Sequence, residues 1–146
     1  MSLRMNYEEI ASDNIELMYE MEKLLKKNTI DNKLQELIKI RVSQINGCAF
    51  CLNMHTTDAR KRGIDEKKIY LLNAWEDTNI YNDAEKLALE LAEHVTLISN
   101  HKVPKELYNR VREKYSEKEY ADLIFTIAQI NTWNRISISM GNEYNV

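Results

Sequence analysis

The sequence predicts an all-α domain of about six to eight helices. Three observations carry that reading. The 146 residues include only three glycines and one proline. Apolar residues recur at steps of three and four, and no stretch sustains the alternation of a half-buried strand. The length suits one domain with a real core, spanning 1–146, and is too short for two.

Met1-Ser2-Leu3, ahead of a second start-like Arg4-Met5, reads as a tag remnant or a disordered lead-in, and no function is expected of it. Ser12-Asp13-Asn14 then starts a helix carrying Ile15, Leu17, Met18, Met21 and Leu24-Leu25, which ends in Lys26-Lys27. Asp31 or Asn32 caps the next helix, which runs through Leu34, Leu37, Ile38, Ile40 and Val42 to the turn signal Asn46-Gly47. A helix opened by Cys48 follows and closes on Arg60-Lys61-Arg62-Gly63, with basic residues over the last carbonyls and then a terminating glycine. A fourth helix is expected from about Asp65 to Trp75, with Ile69, Leu71 and Leu72 inside.

Asn82-Asp83-Ala84-Glu85 has the form of a capping box. Behind it Ala84, Leu87, Ala88, Leu91, Ala92 and Val95 form one stripe, leaving Glu85, Lys86 and Glu93 outside. The small residues on that stripe let a neighbouring helix approach closely. Pro104 suits the first turn of a short helix through Leu107 and Val111. A second capping box, Ser116-Glu117-Lys118-Glu119, opens a long apolar helix through Leu123, Ile124, Ile127, Ile130 and Trp133 toward Met140. A faint internal echo is also present. Ser43-Gln44-Ile45-Asn46 recurs 85 residues later as Ala128-Gln129-Ile130-Asn131, aligning Ile38, Ile40 and Val42 with Leu123, Phe125 and Ile127. An old duplication and chance similarity between two apolar helices both account for it, and the second copy has no cysteine.

Composition narrows the function. A formal net charge of −3 and a pI near 5.7, with lysines and arginines spread along the chain, leave no basic footprint for nucleic acid. Apolar runs are broken by charges well short of the roughly 20 residues that span a bilayer. No charged-then-apolar segment opens the chain, so a cytoplasmic location is expected. In a reducing compartment, two cysteines at CxxC spacing argue for redox or metal chemistry rather than a structural staple, since so short a loop constrains the unfolded chain very little.

That chemistry is concentrated in Glu36–His55, which holds both cysteines, Cys48 and Cys51, and one of the three histidines, His55. If Cys48 opens a helix, Cys51 and His55 lie on one face at steps of three and four. The helix N-terminus favours a thiolate at Cys48 and, less strongly, at Cys51, while His55 sits one turn from Cys51 and takes its proton or pairs with its thiolate. A histidine used as a base works best when a carboxylate orients it. Glu36 is the candidate by length. The helix from Glu36 to Asn46 rises about 15 Å and the segment from Gly47 to His55 about 12 Å. A reversal at Asn46-Gly47 therefore returns Glu36 to within about a turn of His55. From spacing alone, Glu36 reads equally as a solvated surface glutamate.

Glu36, Arg41-Val42-Ser43-Gln44-Ile45-Asn46-Gly47-Cys48, the CxxC and His55-Thr56-Thr57-Asp58-Ala59-Arg60 together resemble the core motif of the alkylhydroperoxidase D-like group of the carboxymuconolactone decarboxylase family. Similarity extends to Ala74-Trp75-Glu76 and Ile130-Asn131-Thr132-Trp133-Asn134-Arg135, so it covers nearly the whole chain. The resemblance implies an all-helical fold assembled into dimers, trimers or hexamers, and a thiol peroxidase or disulfide oxidoreductase activity of the antioxidant, peroxiredoxin type. It implies Cys51 as the attacking thiolate, Cys48 as the resolving thiol, and Glu36 with His55 as a proton relay. A lipoyl protein or thioredoxin-like reductant, and a peroxiredoxin partner, are implied as well. One departure stands out. Some members carry a helper histidine just before the second cysteine, where this chain has Phe50. Members that decarboxylate lack the CxxC, so decarboxylation is not implied.

On physical grounds the helix dipole favours Cys48 as nucleophile and the nearby His55 favours Cys51. A hydrogen-bonded histidine pair outweighs a dipole that fades within one turn, so Cys51 is assigned the attack. No nucleotide-binding glycine motif occurs, so no cofactor is expected and electrons come from an external dithiol or a protein donor. Two rivals share these residues. A zinc or iron–sulfur site would use Cys48, Cys51 and His55, but a structural zinc wants four ligands, and His94 and His101 lie at least 39 residues away in sequence. A non-enzymatic helical assembly protein would simply bury the cysteines. His94 and His101 are expected at the surface near helix ends, and Trp75 and Trp133 as core or subunit-contact anchors.

Overall fold

In a computed structural model that describes residues 3–145, a central helix, α3 (Asn32–Asn46), is buried on two opposite sides. It is preceded by α1 (Tyr7–Ile10) and α2 (Ser12–Leu25). It is followed by α4 (Ala49–Lys61), α5 (Glu66–Tyr70) and a 3-10 helix at Leu72–Asp77. Then come α6 (Asp83–Thr96), α7 (Ile98–His101), α8 (Lys105–Lys114) and α9 (Glu117–Met140). The architecture is all-α, and six of these helices have ten or more residues. No helix among the described residues is long and apolar enough to cross a membrane.

Two cores flank α3. Ile38 and Val42 pack with Leu91 and Ala92 of α6, Leu107 and Val111 of α8, and Leu123 and Ile127 of α9. Leu37 and Ile40 turn the other way, onto Ala59 of α4, Leu72, Trp75 and Leu89 of α6. A helix with a core on each side has no solvated face for its charges, which is why Gln35, Glu36 and Lys39 are buried too. Gln35 meets that condition by donating from its amide to the carbonyls of Leu25 and Ile30.

The helix boundaries follow local hydrogen-bond chemistry. Asp31 caps α3 through the backbone N–H of Lys33. Both capping boxes form, Asn82 with Glu85 at α6 and Ser116 with Glu119 at α9. At the end of α3, Gly47 takes the left-handed conformation (φ 69°, ψ 37°). There the N–H of Gly47 donates to the Gln44 carbonyl and the N–H of Cys48 to the Ser43 carbonyl, a Schellman termination. A Cβ built on Gly47 meets nothing within 4 Å. Gly47→Ala therefore costs only the backbone term, about 1–2 kcal/mol, expected as a lower urea midpoint with an unchanged slope. Gly47→Asn costs less, because asparagine visits this region more readily.

Four expectations are corrected. The fourth helix does not run unbroken from Asp65 to Trp75. Ala74 has a non-helical backbone (φ −122°, ψ 31°), the segment splits into α5 and the 3-10 helix, and Leu71 is exposed while Leu72 is buried. Glu93 is not an outside residue, because its Oε1 accepts from the Trp75 indole at 2.7 Å and from Arg41 Nε at 2.8 Å. Phe125 breaks the echo, being exposed where its counterpart Ile40 is fully buried, since α9 packs on one side and α3 on two. Finally, Met1 and Ser2 lie outside the described residues, but the rest of the opening segment is not a loose lead-in. The Arg4 backbone N–H donates to the Met140 carbonyl at 2.8 Å and its guanidinium to the Ser139 carbonyl at 3.0 Å. The last carbonyls of α9 lack intrahelical donors, and Arg4 supplies two.

Candidate active site

The reversal at Gly47 sets α4 beside α3, so that the two helices run back along one another. Cys48 does not belong to α4. It stands before the helix in extended backbone (φ −92°, ψ 95°), and its Sγ accepts from the Cys51 N–H at 3.3 Å, acting as the N-cap. Cys51 lies in the first turn, and the two cysteines are joined as a disulfide with their Cα atoms 5.3 Å apart. Both are almost wholly buried.

One turn on, His55 faces α3. Its Nδ1 lies 3.0 Å from Oε2 of Glu36, which is only 4 % exposed. The chain reversal thus brings together all four residues singled out from sequence, and Glu36 is not a solvated helix-surface residue. Two cations that the sequence reading did not single out flank the carboxylate: Lys39 Nζ is 3.9 Å and Arg62 Nε 3.7 Å from Oε1. Burial alone would push the Glu36 carboxyl up. The hydrogen bond from His55, with Lys39 and Arg62, outweighs burial and holds it below the usual carboxylate range. Glu36 is therefore an anion at neutral pH, and as an acceptor it keeps the proton of a neutral imidazole on Nδ1, leaving Nε2 as the basic atom.

Cys51, His55 and Glu36 open onto a cleft of about 660 Å³, whereas Cys48 is not part of its lining. The opposing wall is apolar and aromatic, built from Ile130 and Trp133 of α9 and Tyr19 of α2, with Phe50 and Met54 of α4 beside the cysteine. Trp133 packs partly buried against the first core and also forms a wall of the cleft, tilted against Tyr19 at 5.7 Å between ring centres, with its indole donating to Glu22 Oε1 at 2.8 Å. Trp75 is buried in the second core. Lys39 was legible only as one helical step from Glu36, and nothing local marked Trp133 as a cleft wall.

The sulfur ligands of the zinc reading are tied to each other in the disulfide. A different set, Glu36, His55 and Asp58, places one carboxylate or imidazole atom each within 4.8 Å of the others. Lys39 and Arg62 already compensate its most buried member, so the set reads as an ion-pair cluster rather than an anionic cage. His94 and His101 lie elsewhere, with rings 5.2 Å apart and His94 Nδ1 bound to the Lys102 carbonyl.

Comparison with known proteins fits this geometry. The profile of the Carboxymuconolactone decarboxylase family matches residues 15–94, a span that contains all four site residues. YdfG of Bacillus subtilis (strain 168), an uncharacterized protein, is 57% identical over 98% of this chain and 97% of its own length. ATU0492 from Agrobacterium tumefaciens, a protein of unknown function with a suggested role as the antioxidant defence protein AhpD, superposes with a TM-score of 0.95. Its identity is 30%, with 99% of each chain covered. The debrominase Bmp8 has a TM-score of 0.80 at 20% identity, over 93% of this chain and 73% of its own, a likeness of fold alone.

Proposed function

The chain belongs to the carboxymuconolactone decarboxylase family, and on that premise we propose that it is a thiol-dependent peroxidase or disulfide oxidoreductase working through Cys48 and Cys51. The observation that carries the reading is the 3.0 Å contact between buried Glu36 and His55, one helical turn from a CxxC pair that has closed as a disulfide.

In the reduced protein, His55 takes the proton of Cys51, with Glu36 stabilising the imidazolium. The Cys51 thiolate attacks the terminal oxygen of a hydroperoxide. An S–O bond forms as the O–O bond breaks, and the departing alkoxide takes the proton from His55 to leave as an alcohol. Cys48 then attacks the sulfur of the Cys51 sulfenic acid. The S–S bond forms as the S–O bond breaks, and the leaving hydroxide takes up the proton that Cys48 gives away and departs as water. An external dithiol or protein donor then reduces the disulfide by exchange. With a disulfide substrate, the same Cys51 thiolate attacks sulfur instead and Cys48 resolves the mixed disulfide. Assignment of the attack to Cys51 is supported by its place on the cleft, from which Cys48 is absent. Phe50 contributes an apolar wall and no proton; in this reading His55 carries the proton from Cys48 to the leaving hydroxide during disulfide closure.

Following the family, the active protein is read as a homo-oligomer supplied by a lipoyl or thioredoxin-like donor, with a peroxiredoxin as a partner. The test is rapid-quench oxidation of reduced protein by hydrogen peroxide, an alkyl hydroperoxide or a small-molecule disulfide. The expected result is loss of two thiols per chain, with sulfenic acid trapped in Cys48→Ser and not in Cys51→Ser. Slow oxidation by all three reagents overturns the reading, and trapping only in Cys51→Ser reverses the roles of the cysteines.

A further inference from the structure

The echo between the end of α3 and the middle of α9 terminates in a direct contact. Asn46 Nδ2, two residues before Cys48, donates to Oδ1 of Asn131, its counterpart 85 residues on, at 3.0 Å. The same amide donates to Oδ1 of Asn134, also at 3.0 Å. Asn134 is fully buried, and its Nδ2 returns to α3 by donating to Ser43 Oγ at 3.0 Å. Ser43 is the residue whose carbonyl accepts from the Cys48 N–H. The segment leading into Cys48 is thus gripped from α9 at both of its ends.

The orientation of this chain of amides is set from one place. Arg135 Nη1 donates to Asn131 Oδ1 at 2.7 Å, so that atom is the acceptor. Asn131 Nδ2 is then directed to Thr96 Oγ1 at 3.0 Å. Asn46 has to present its NH₂, and Asn134 its oxygen. In each of these contacts a donor meets an acceptor, and a polar network paired in this way rigidifies its surroundings. Ordinary helix packing needs none of this. A Schellman termination already ends α3, and apolar contacts already join α3 to α9.

We propose that Asn46, held by Asn131 and Asn134, is a positioning residue that fixes Cys48 for disulfide closure with Cys51. The proposal rests on the reading of Cys48 as resolving thiol. Cys51 rides on α4, one turn from His55, and is not held by this network. Removing the grip therefore leaves attack by Cys51 intact and frees Cys48. Closure is affected, and attack is not.

The experiment uses Asn46→Ala and Asn134→Ala in the full chain, with Ser43→Ala as a smaller change that keeps the fold should either fail to fold. In the first arm, the thiol–disulfide equilibrium is measured against glutathione, with no peroxide chemistry involved. The expected shift is about tenfold toward the dithiol in Asn46→Ala and Asn134→Ala and a few-fold in Ser43→Ala, from loss of effective concentration between the sulfurs. In the second arm, oxidation by an alkyl hydroperoxide is followed with a sulfenic-acid trap. Sulfenic acid forms at the parent rate but closes to disulfide about tenfold more slowly, and excess peroxide carries it on to sulfinic acid. An unchanged glutathione equilibrium in all three variants overturns the proposal, as does equal slowing of sulfenic-acid formation and closure. A parent protein inert to peroxide overturns the peroxidase reading instead, and the first arm still decides whether Asn46 positions Cys48.

Discussion

Glu36→Gln is expected to slow oxidation of the cysteine pair by about 10²–10⁴-fold at neutral pH, the usual range for loss of general acid–base assistance. Glutamine still reaches His55 but carries no charge to stabilise the imidazolium, so Cys51 loses the base that makes it a thiolate. Stability falls as well. Lys39 and Arg62 lose their shared anion, and a buried hydrogen bond to a charged group contributes about 1.5–3 kcal/mol. The pH dependence has a definite sign. Because the Glu36 carboxyl is held below its ordinary range in the folded protein, its stabilisation is fully present above the ordinary carboxylate value. It is lost as pH falls through the lower, folded value. Urea titrations of parent and Glu36→Gln should therefore differ by a constant amount from mildly acidic to neutral pH and converge in acid. A gap that widened on acidification would contradict the assignment of His55, Lys39 and Arg62 as the groups that dominate over burial.

Leu89→Ala is expected to destabilise the protein by about 2–5 kcal/mol, as much as Leu91→Ala, although the two side chains lie on opposite sides of α6. Both are fully buried. Leu91 belongs to the core shared with α8 and α9, and Leu89 to the core shared with Trp75, Leu72 and Ile40. A helix with a single apolar stripe would lose almost nothing on truncation of Leu89. Equal drops in urea midpoint for the two variants would establish α6, like α3, as a partition between two cores. Trp75 should respond only to the first of them, since it packs in the same cluster as Leu89.

The parts of the fold that were legible are those decided within a few residues. Asp31, Asn82 and Ser116 cap their helices because an oxygen on a short side chain meets an N–H two or three residues on, and sequence states that distance directly. Asn46-Gly47 was readable for the same reason, and from it came the return of Glu36 to His55. The rest depends on partners from far along the chain. Glu93 reads as a solvated glutamate until Trp75 and Arg41 converge on it from 18 and 52 residues away. Leu89 falls off the α6 stripe because the stripe records one core and the second comes from the 3-10 helix. Within the site, Glu36, Cys48, Cys51 and His55 share a spacing that chemistry makes recognisable. Lys39 and Trp133 gain their places only when α2 and α9 close over α3. The echo was visible as a pattern, while its contact between Asn46 and Asn131 required the crossing of the two helices.

The chain has two tryptophans, and each indole N–H is committed to a glutamate, Trp75 to Glu93 and Trp133 to Glu22. Only Trp133 forms a wall of the cleft into which Cys51 opens. The chain also has eight tyrosines, so it is the tryptophan emission, excited selectively at the red edge, that comes from a single indole on the wall of that cleft once Trp75 is replaced by phenylalanine. Occupancy of the cleft can then be followed as light emission from the unlabelled protein, turnover by turnover.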